Sequence, residues 1–169
     1  MKRLLLLRHA KSSWKQPQLA DHDRPLNRRG ERNCRQLADY VSTHPHGCAC
    51  VHSSTALRAR LTAAAIAQDT EVQLFKQLYT FTPRALIEHL RQLDDALDSL
   101  VLVGHNPALT ELVNWLGGDP LGNLPTASWV EFELAIEHWG QLAKGCASLQ
   151  RLVRIKALAS SDEALGFLP

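Results

Sequence analysis

The stretch LLLLRH, residues 4–9, decides the fold, because an uninterrupted apolar run ends there at two polar residues. A short aliphatic run bounded by charge is typical of a strand buried on both faces of a parallel sheet. Such sheets bind ligands outside the carboxyl ends of their strands, where Arg8 and His9 fall. Arginine offers a permanently charged fork for phosphate, and histidine can act as a nucleophile or an acid near neutral pH. Taken alone, this dipeptide is better explained as a strand that ends in solvated residues, so the rest of the chain decides.

The composition indicates an ordinary globular protein. The chain has 169 residues, of which 45% are apolar and 21% are charged. This length suits one core of good size, and we expect a single domain over residues 1–169. The net charge of +2 is too small to indicate a nucleic acid as partner.

The amino terminus superficially resembles a secretory signal, but its apolar run is too short and is cut by Arg8. No stretch is long enough to span a membrane, so we expect no membrane association and a cytoplasmic location. The four cysteines lack the spacing of zinc ligands, which favours buried free thiols and predicts no metal site.

Strand and helix patterns alternate along the chain, which indicates an α/β fold. Strands after the first are predicted at residues 48–52, 72–75 and 100–103. Helices are predicted to begin near Asn27, after the capping residues Ser53 and Ser54, near Arg84 and near Asn106. Two further strands, within residues 128–136 and 146–155, could pair antiparallel. The tail from Ala157 is expected to be frayed or to lie on the surface.

The candidate functional residues each follow a different predicted strand. Arg8 and His9 follow the first strand, Arg58 follows the second, and His105 follows the strand at 100–103. If the strands are parallel, all four residues lie at the same edge of the sheet. Helix amino ends at that edge present unpaired N–H groups, which favour an anion. The sequence therefore predicts a site for a phosphoryl group.

Three ordered motifs resemble those of the histidine phosphatase superfamily. They are RH at residues 8–9, STALRARLTA at 54–63 and VGH at 103–105. Within that superfamily, RHAKS at 8–12 and RPLNRRG at 24–30 are most similar to SixA-type protein-histidine phosphatases. The resemblance covers roughly residues 3–155.

The resemblance implies a phosphoglycerate mutase-like fold, a three-layer α/β/α sandwich with a mostly parallel central sheet. It also implies that His9 is the nucleophile and that Arg8, Arg58 and His105 form the phosphate pocket. The sequence departs from the superfamily pattern at Lys15, where mutase-like members carry asparagine. A lysine could contact phosphate as a point charge, so Lys15 is a further candidate for substrate binding.

A second departure concerns the general acid, which many members carry between the second arginine and the second histidine. Five carboxylates lie in that interval, and none is a convincing acid: Glu71, Glu88, Asp94, Asp95 and Asp98. An alkoxide leaving group needs a proton donor, whereas an imidazole that is already protonated leaves as a neutral ring. The missing acid therefore favours phosphohistidine as the substrate. Two guanidiniums and a protonated His105 could neutralise the phosphoryl oxygens without a metal or another cofactor.

The short interval between Arg58 and His105 leaves little chain for a lid, and an open site suits a phosphorylated protein as partner. The segment 11–23 is the expected rim, where Trp14 is equally explained as a substrate contact or as a packing residue. Two alternatives stay open: a phosphomonoesterase for small molecules or nucleotides, and a phosphate-binding module without turnover. The intact His9 argues against the second alternative, because binding alone needs no nucleophile.

Overall fold

The computed structural model describes residues 1–155 and 165–166. It places the apolar run of residues 4–7 in strand β1 (Lys2–Arg8), where all four leucines are fully buried. Because side chains alternate across a strand, successive leucines pack into cores on opposite faces of the sheet. Burial on both faces explains why the strand is a continuous apolar run rather than an alternating pattern.

Helices and strands alternate along the rest of the chain. The helices are α1 (Arg28–Thr43), α2 (Leu57–Ala67), α3 (Pro83–Arg91) and α4 (Ala108–Gly117). The strands after β1 are β2 (Cys50–Ser54), β3 (Val72–Phe75), β4 (Ser99–Gly104), β5 (Trp129–Leu134), β6 (Ala147–Val153) and β7 (Leu165–Gly166). Short 3-10 turns cover Asp21–Asp23, Lys76–Leu78 and Trp139–Gln141.

The strands form one sheet in the order β3-β2-β4-β1-β5-β6-β7. The first four strands of this order are parallel, and the remaining ones pair antiparallel. Helices α1 and α2 pack on one face, and α3 and α4 pack on the other. The predicted α/β sandwich is confirmed, as is the antiparallel pairing of the two strands that follow α4.

The second strand lies two residues further along the chain than its predicted range of 48–52. Cys48 lies before the strand, where its N–H donates to Nδ1 of His46 at 3.0 Å, and the strand extends further because Ser53 and Ser54 pair with Leu74 and Phe75 of β3. Ser53 and Ser54 therefore belong to β2, and the prediction that they cap the next helix is wrong. The shift places the Ser54 hydroxyl at the carboxyl edge of the sheet.

The long polar segment after β1, residues 11–27, is tied to the start of α1. The Asn27 N–H donates to the Lys11 carbonyl at 3.0 Å, and the Asn27 side chain caps the helix by accepting from the Gly30 N–H. A β-carbon on Gly30 would collide with the Lys11 carbonyl. A glycine is therefore required for the segment to lie this close to the helix.

The expectation about the tail from Ala157 falls outside the described residues, apart from β7, which pairs with the end of β6. In the described part of the chain, none of the helices is long and apolar enough to cross a membrane.

Candidate active site

The four residues that the sequence singled out lie together at the carboxyl edge of the sheet. Arg8 ends β1, His9 follows it, Arg58 lies in the first turn of α2, and His105 follows β4. All four line one cavity of about 190 Å³. The cause is the pairing of parallel strands, which puts Arg8 in register with Gly104.

His9 is held in a defined orientation. Its Nδ1 lies 2.7 Å from the Ala10 carbonyl, which can only accept, so Nδ1 carries the proton. The other ring nitrogen, Nε2, accepts from the Arg58 Nε at 3.3 Å. Burial lowers the pKa of His9 to about 4, although the bond to Ala10 opposes the shift. The imidazole is therefore neutral near pH 7, and its Nε2 lone pair is directed towards Arg58.

We expect His9 to titrate near pH 4 rather than near its ordinary value of 6.5. The pKa is lowered because burial disfavours the charged ring, so the neutral form persists until the pH falls to about 4. An NMR titration of the histidine ring resonances measures this, and a His9→Asn variant identifies the signal. Protonation of His9 near pH 6.5 would contradict the described burial.

His105 lies beside His9, next to the same edge of the Arg58 guanidinium. Its ring centroid is 5.0 Å from that of His9, and its Nδ1 lies 3.5 Å from Nη2 of Arg58. Its Nε2 is 2.8 Å from the Ser54 hydroxyl. Burial, followed by the proximity of His9 and Arg58, lowers the pKa of His105 to about 3. The prediction of a protonated His105 is therefore wrong for the protein alone, although a phosphate dianion beside the ring would raise its pKa.

Arg8 lines the cavity and carries one buried donor without a partner in the described part of the chain. Its Nη1 donates to the Leu124 carbonyl at 2.7 Å, and its Nε is buried without a hydrogen-bond partner among the described residues. Burial also lowers the pKa of Arg8. Buried donors are almost always satisfied in folded proteins, and a guanidinium at a cavity is a group that binds oxyanions through charge-assisted hydrogen bonds.

The other candidates lie at the rim. Lys15 is exposed and is not among the residues that line the cavity, whereas Lys11 is. Trp14 lines the cavity with 74% of its surface exposed, and the Arg24 guanidinium carbon lies 3.2 Å from the centre of its indole. This stacking holds Trp14 in place while leaving it accessible.

The sequence analysis gave no role to Asp21, which lies within the segment 11–23 that it expected to form the rim. The backbone carbonyl of Asp21 accepts from Nη1 of Arg58 at 2.6 Å, and its carboxylate accepts from Nη2 at 2.9 Å. The carboxylate also accepts from Arg24 at 3.0 Å and from the Tyr79 hydroxyl at 2.6 Å. The length of the loop could have pointed to Asp21, because the segment between β1 and α1 is longer than an ordinary strand-to-helix connection, and long loops are often functional.

Several further residues line the cavity and were given no role from sequence: Ser12, Phe81, Asn106 and Thr126. None of the described residues that line the cavity is an aspartate or a glutamate. Among the described residues there is also no group of three or more His, Cys, Asp or Glu side chains that could hold a metal ion. The positive charge available to an anion in this cavity therefore comes from guanidinium groups and from the Lys11 ammonium.

Known proteins are similar to this chain in sequence and in fold. The profile of the histidine phosphatase superfamily (branch 1) matches residues 4–79, a range that includes Arg8, His9 and Arg58. An uncharacterised protein of Mycobacterium tuberculosis is 31% identical over 153 residues, which are 85% of this chain and 96% of that protein.

Two solved structures show the same fold. One is a provisionally assigned phosphohistidine phosphatase SixA from Agrobacterium tumefaciens, with a TM-score of 0.78, 23% identity, and coverage of 90% of this chain and 97% of the other. The second is the protein histidine phosphatase SixA complexed with tungstate, with a TM-score of 0.74, 19% identity, and coverage of 92% and 99%. The chain belongs to the histidine phosphatase superfamily and is a hydrolase of the phosphatase type.

Proposed function

We propose that this chain is a SixA-type phosphatase that removes phosphate from a phosphorylated histidine of a partner protein through a phospho-His9 intermediate. The observation that carries the proposal is the orientation of His9. Its Nδ1–H is held by the Ala10 carbonyl, which leaves the Nε2 lone pair beside Arg58. The similarity to a SixA structure that holds tungstate adds support, because tungstate is a tetrahedral oxyanion like phosphate.

In the first step, Nε2 of His9 attacks the phosphorus atom. A bond forms between phosphorus and His9, and the bond between phosphorus and the substrate's imidazole nitrogen breaks. The electron pair returns to the substrate ring, which leaves neutral if its other nitrogen is protonated. Arg8 and Arg58 neutralise the phosphoryl oxygens while the charge shifts.

In the second step, water attacks the phosphorus of phospho-His9. The bond between phosphorus and Nε2 breaks, and its electron pair returns to Nε2 while Nδ1 keeps its proton. The protons of the water remain on the released phosphate. Neither step requires a proton from a dedicated acid, because imidazole is the leaving group each time.

The carboxylate that contacts Arg58, a residue lining the cavity, supports this choice of substrate. Burial would raise the pKa of Asp21, but hydrogen bonds from Tyr79 and Arg58 outweigh it and hold the pKa well below its usual range. Asp21 is therefore ionised and has no proton to give to an alkoxide. A phosphoramidate substrate tolerates that lack better than a phosphate monoester does.

The rim of the cavity supports a protein as partner. Trp14 is 74% exposed and Phe81 is 45% exposed, and both line the mouth of the cavity. Exposed aromatic side chains are common in surfaces that bind other proteins. The four cysteines are free thiols, which fits a reducing compartment such as the cytoplasm.

The proposal is tested by comparing kcat/KM for a histidine-phosphorylated protein with kcat/KM for p-nitrophenyl phosphate and phosphoserine, with a chelator present. We expect the first value to exceed that for phosphoserine by at least about 100-fold, which is the usual contribution of a general acid. Equal activity on phosphoserine would favour the small-molecule alternative. A strict requirement for a divalent ion would contradict the mechanism.

A further inference from the structure

The guanidinium of Arg58 offers two different edges to its surroundings. In arginine, the Nε–H and one Nη2–H point to the same side, whereas Nη1 and the other Nη2–H form the outer end. The side edge faces the two histidines, with Nε 3.3 Å from His9 Nε2 and Nη2 3.5 Å from His105 Nδ1. Among the residues that the structure describes, the outer end is bound by Asp21 alone, through its backbone carbonyl and its carboxylate.

From this division we propose that Asp21 is a positioning residue, which fixes the outer end of Arg58 so that the side edge is held ready for the phosphoryl group. The proposal rests on the proposed function only in requiring that the cavity receives a phosphoryl group. Side-on donation by Nε and Nη2 gives two parallel hydrogen bonds to neighbouring oxygens of one anion. Without a partner at its outer end, the guanidinium could rotate and lose that geometry.

Asp21 is itself held by other groups, as a positioning residue must be. Its carboxylate accepts from the Tyr79 hydroxyl at 2.6 Å and from Arg24 at 3.0 Å. Burial and the bond to Asp21 raise the pKa of Tyr79, so the phenol keeps the proton that it donates. The carboxylate is thus held by two groups besides Arg58, through hydrogen bonds that do not involve the two histidines.

Asp21 could instead be a stand-in for the substrate that phosphate must displace. The contacts argue against this, because Asp21 binds the outer end of Arg58 rather than the edge beside the histidines, and it is not among the residues lining the cavity. One of its two contacts is also made by a backbone carbonyl, which a bound anion would not replace. The carboxylate and the anion can therefore share Arg58 rather than compete for it.

The test compares Asp21→Ala and Asp21→Asn with a matched control, Asp23→Asn. Asp23 lies in the same 3-10 turn, is exposed, and has His22 as its side-chain partner. We measure kcat and KM separately, and the Kd of tungstate, which reports the anion cavity without any assumption about the substrate. Thermal unfolding of each variant shows that the fold is retained.

We expect Asp21→Ala to lower kcat/KM by about 100-fold, mainly through kcat, because misplacement of a catalytic group by about 1 Å costs that much. Asp21→Asn should lower kcat/KM by less, since its amide oxygen can still accept from Nη2. The control, Asp23→Asn, should keep the activity of the wild-type protein. In an Arg58→Ala background, Asp21→Asn should cause no further loss, because the residue acts through Arg58.

Three results would overturn the proposal. The first is tighter tungstate binding with unchanged kcat in Asp21→Ala, which would identify a competitor. The second is a loss of kcat/KM on Asp21→Asn that is as large in the Arg58→Ala background as in the wild-type protein. The third is a loss of kcat/KM in Asp23→Asn that equals the loss in the Asp21 variants. If Asp21→Ala does not fold, Asp21→Asn and the double variant still decide. Failure on phosphohistidine with normal tungstate binding would refute the proposed substrate and leave the role of Asp21 intact.

Discussion

Replacement of His9 by alanine is expected to lower kcat by about 10⁶-fold, the loss typical of removing a covalent nucleophile. The variant lacks the only atom that the mechanism joins to phosphorus, while Arg8, Arg58 and His105 remain to bind the anion. Tungstate should therefore still bind to His9→Ala, although turnover is lost. Binding without turnover separates the nucleophile from a residue that merely supports the pocket.

The same variant tests the covalent intermediate. The wild-type enzyme is mixed with substrate carrying radioactive phosphate and denatured in alkali, because phosphohistidine is hydrolysed by acid. We expect label on the wild-type chain and none on His9→Ala, with His44→Ala as the control because His44 is exposed at the end of α1. Label that persists in His9→Ala, or turnover that is unchanged, would remove His9 from the mechanism.

The second large effect is expected at Arg58. Arg58→Ala should lower kcat/KM by about 10³-fold, the upper range for removing one donor that stabilises charge in a transition state. Arg58→Lys keeps the charge but not the planar fork, so it should recover anion binding more than kcat. Both substitutions also remove the bond from Arg58 to the Asp21 carboxylate, which keeps its bonds from Tyr79 and Arg24, so the pKa of Asp21 should rise part of the way towards its ordinary value.

The matched control for this experiment lies two residues further along the same helix. Arg60 is exposed and does not line the cavity, so Arg60→Ala removes a charge from α2 and Arg60→Lys keeps it, and neither substitution touches the cavity. We measure kcat, KM and tungstate affinity for all four variants. A fully active Arg58→Lys would show that the site requires a positive charge and not the geometry of the guanidinium.

The fold and the convergence of the four main site residues could be read from the sequence because both are set by local patterns. Apolar runs bounded by charge mark β1 and β4, and the residue after a parallel strand falls at the ligand edge. Those rules need no knowledge of how distant side chains pack. They therefore placed Arg8, His9, Arg58 and His105 at one edge.

What the sequence could not supply depends on the path of an irregular loop and on burial. The position of Asp21 follows from the route of residues 11–27 across the cavity, which no periodicity describes. For the same reason Lys11 lines the cavity and Lys15 is exposed outside it. The neutral state of His105 arises from desolvation by the complete fold, which a list of charges along the chain does not reveal.

The order of strands in the sheet also affects how the protein acquires its site during synthesis. In the finished sheet, Leu4 lies between Leu100 and Phe132, so the first strand made finds its neighbours only after most of the chain exists. Closing such long loops costs entropy and gives the fold a high contact order. A nascent chain therefore carries Arg8 and His9 well before the residues that complete their cavity. A truncated product that ends before β4 would hold the nucleophile but no competent phosphatase centre.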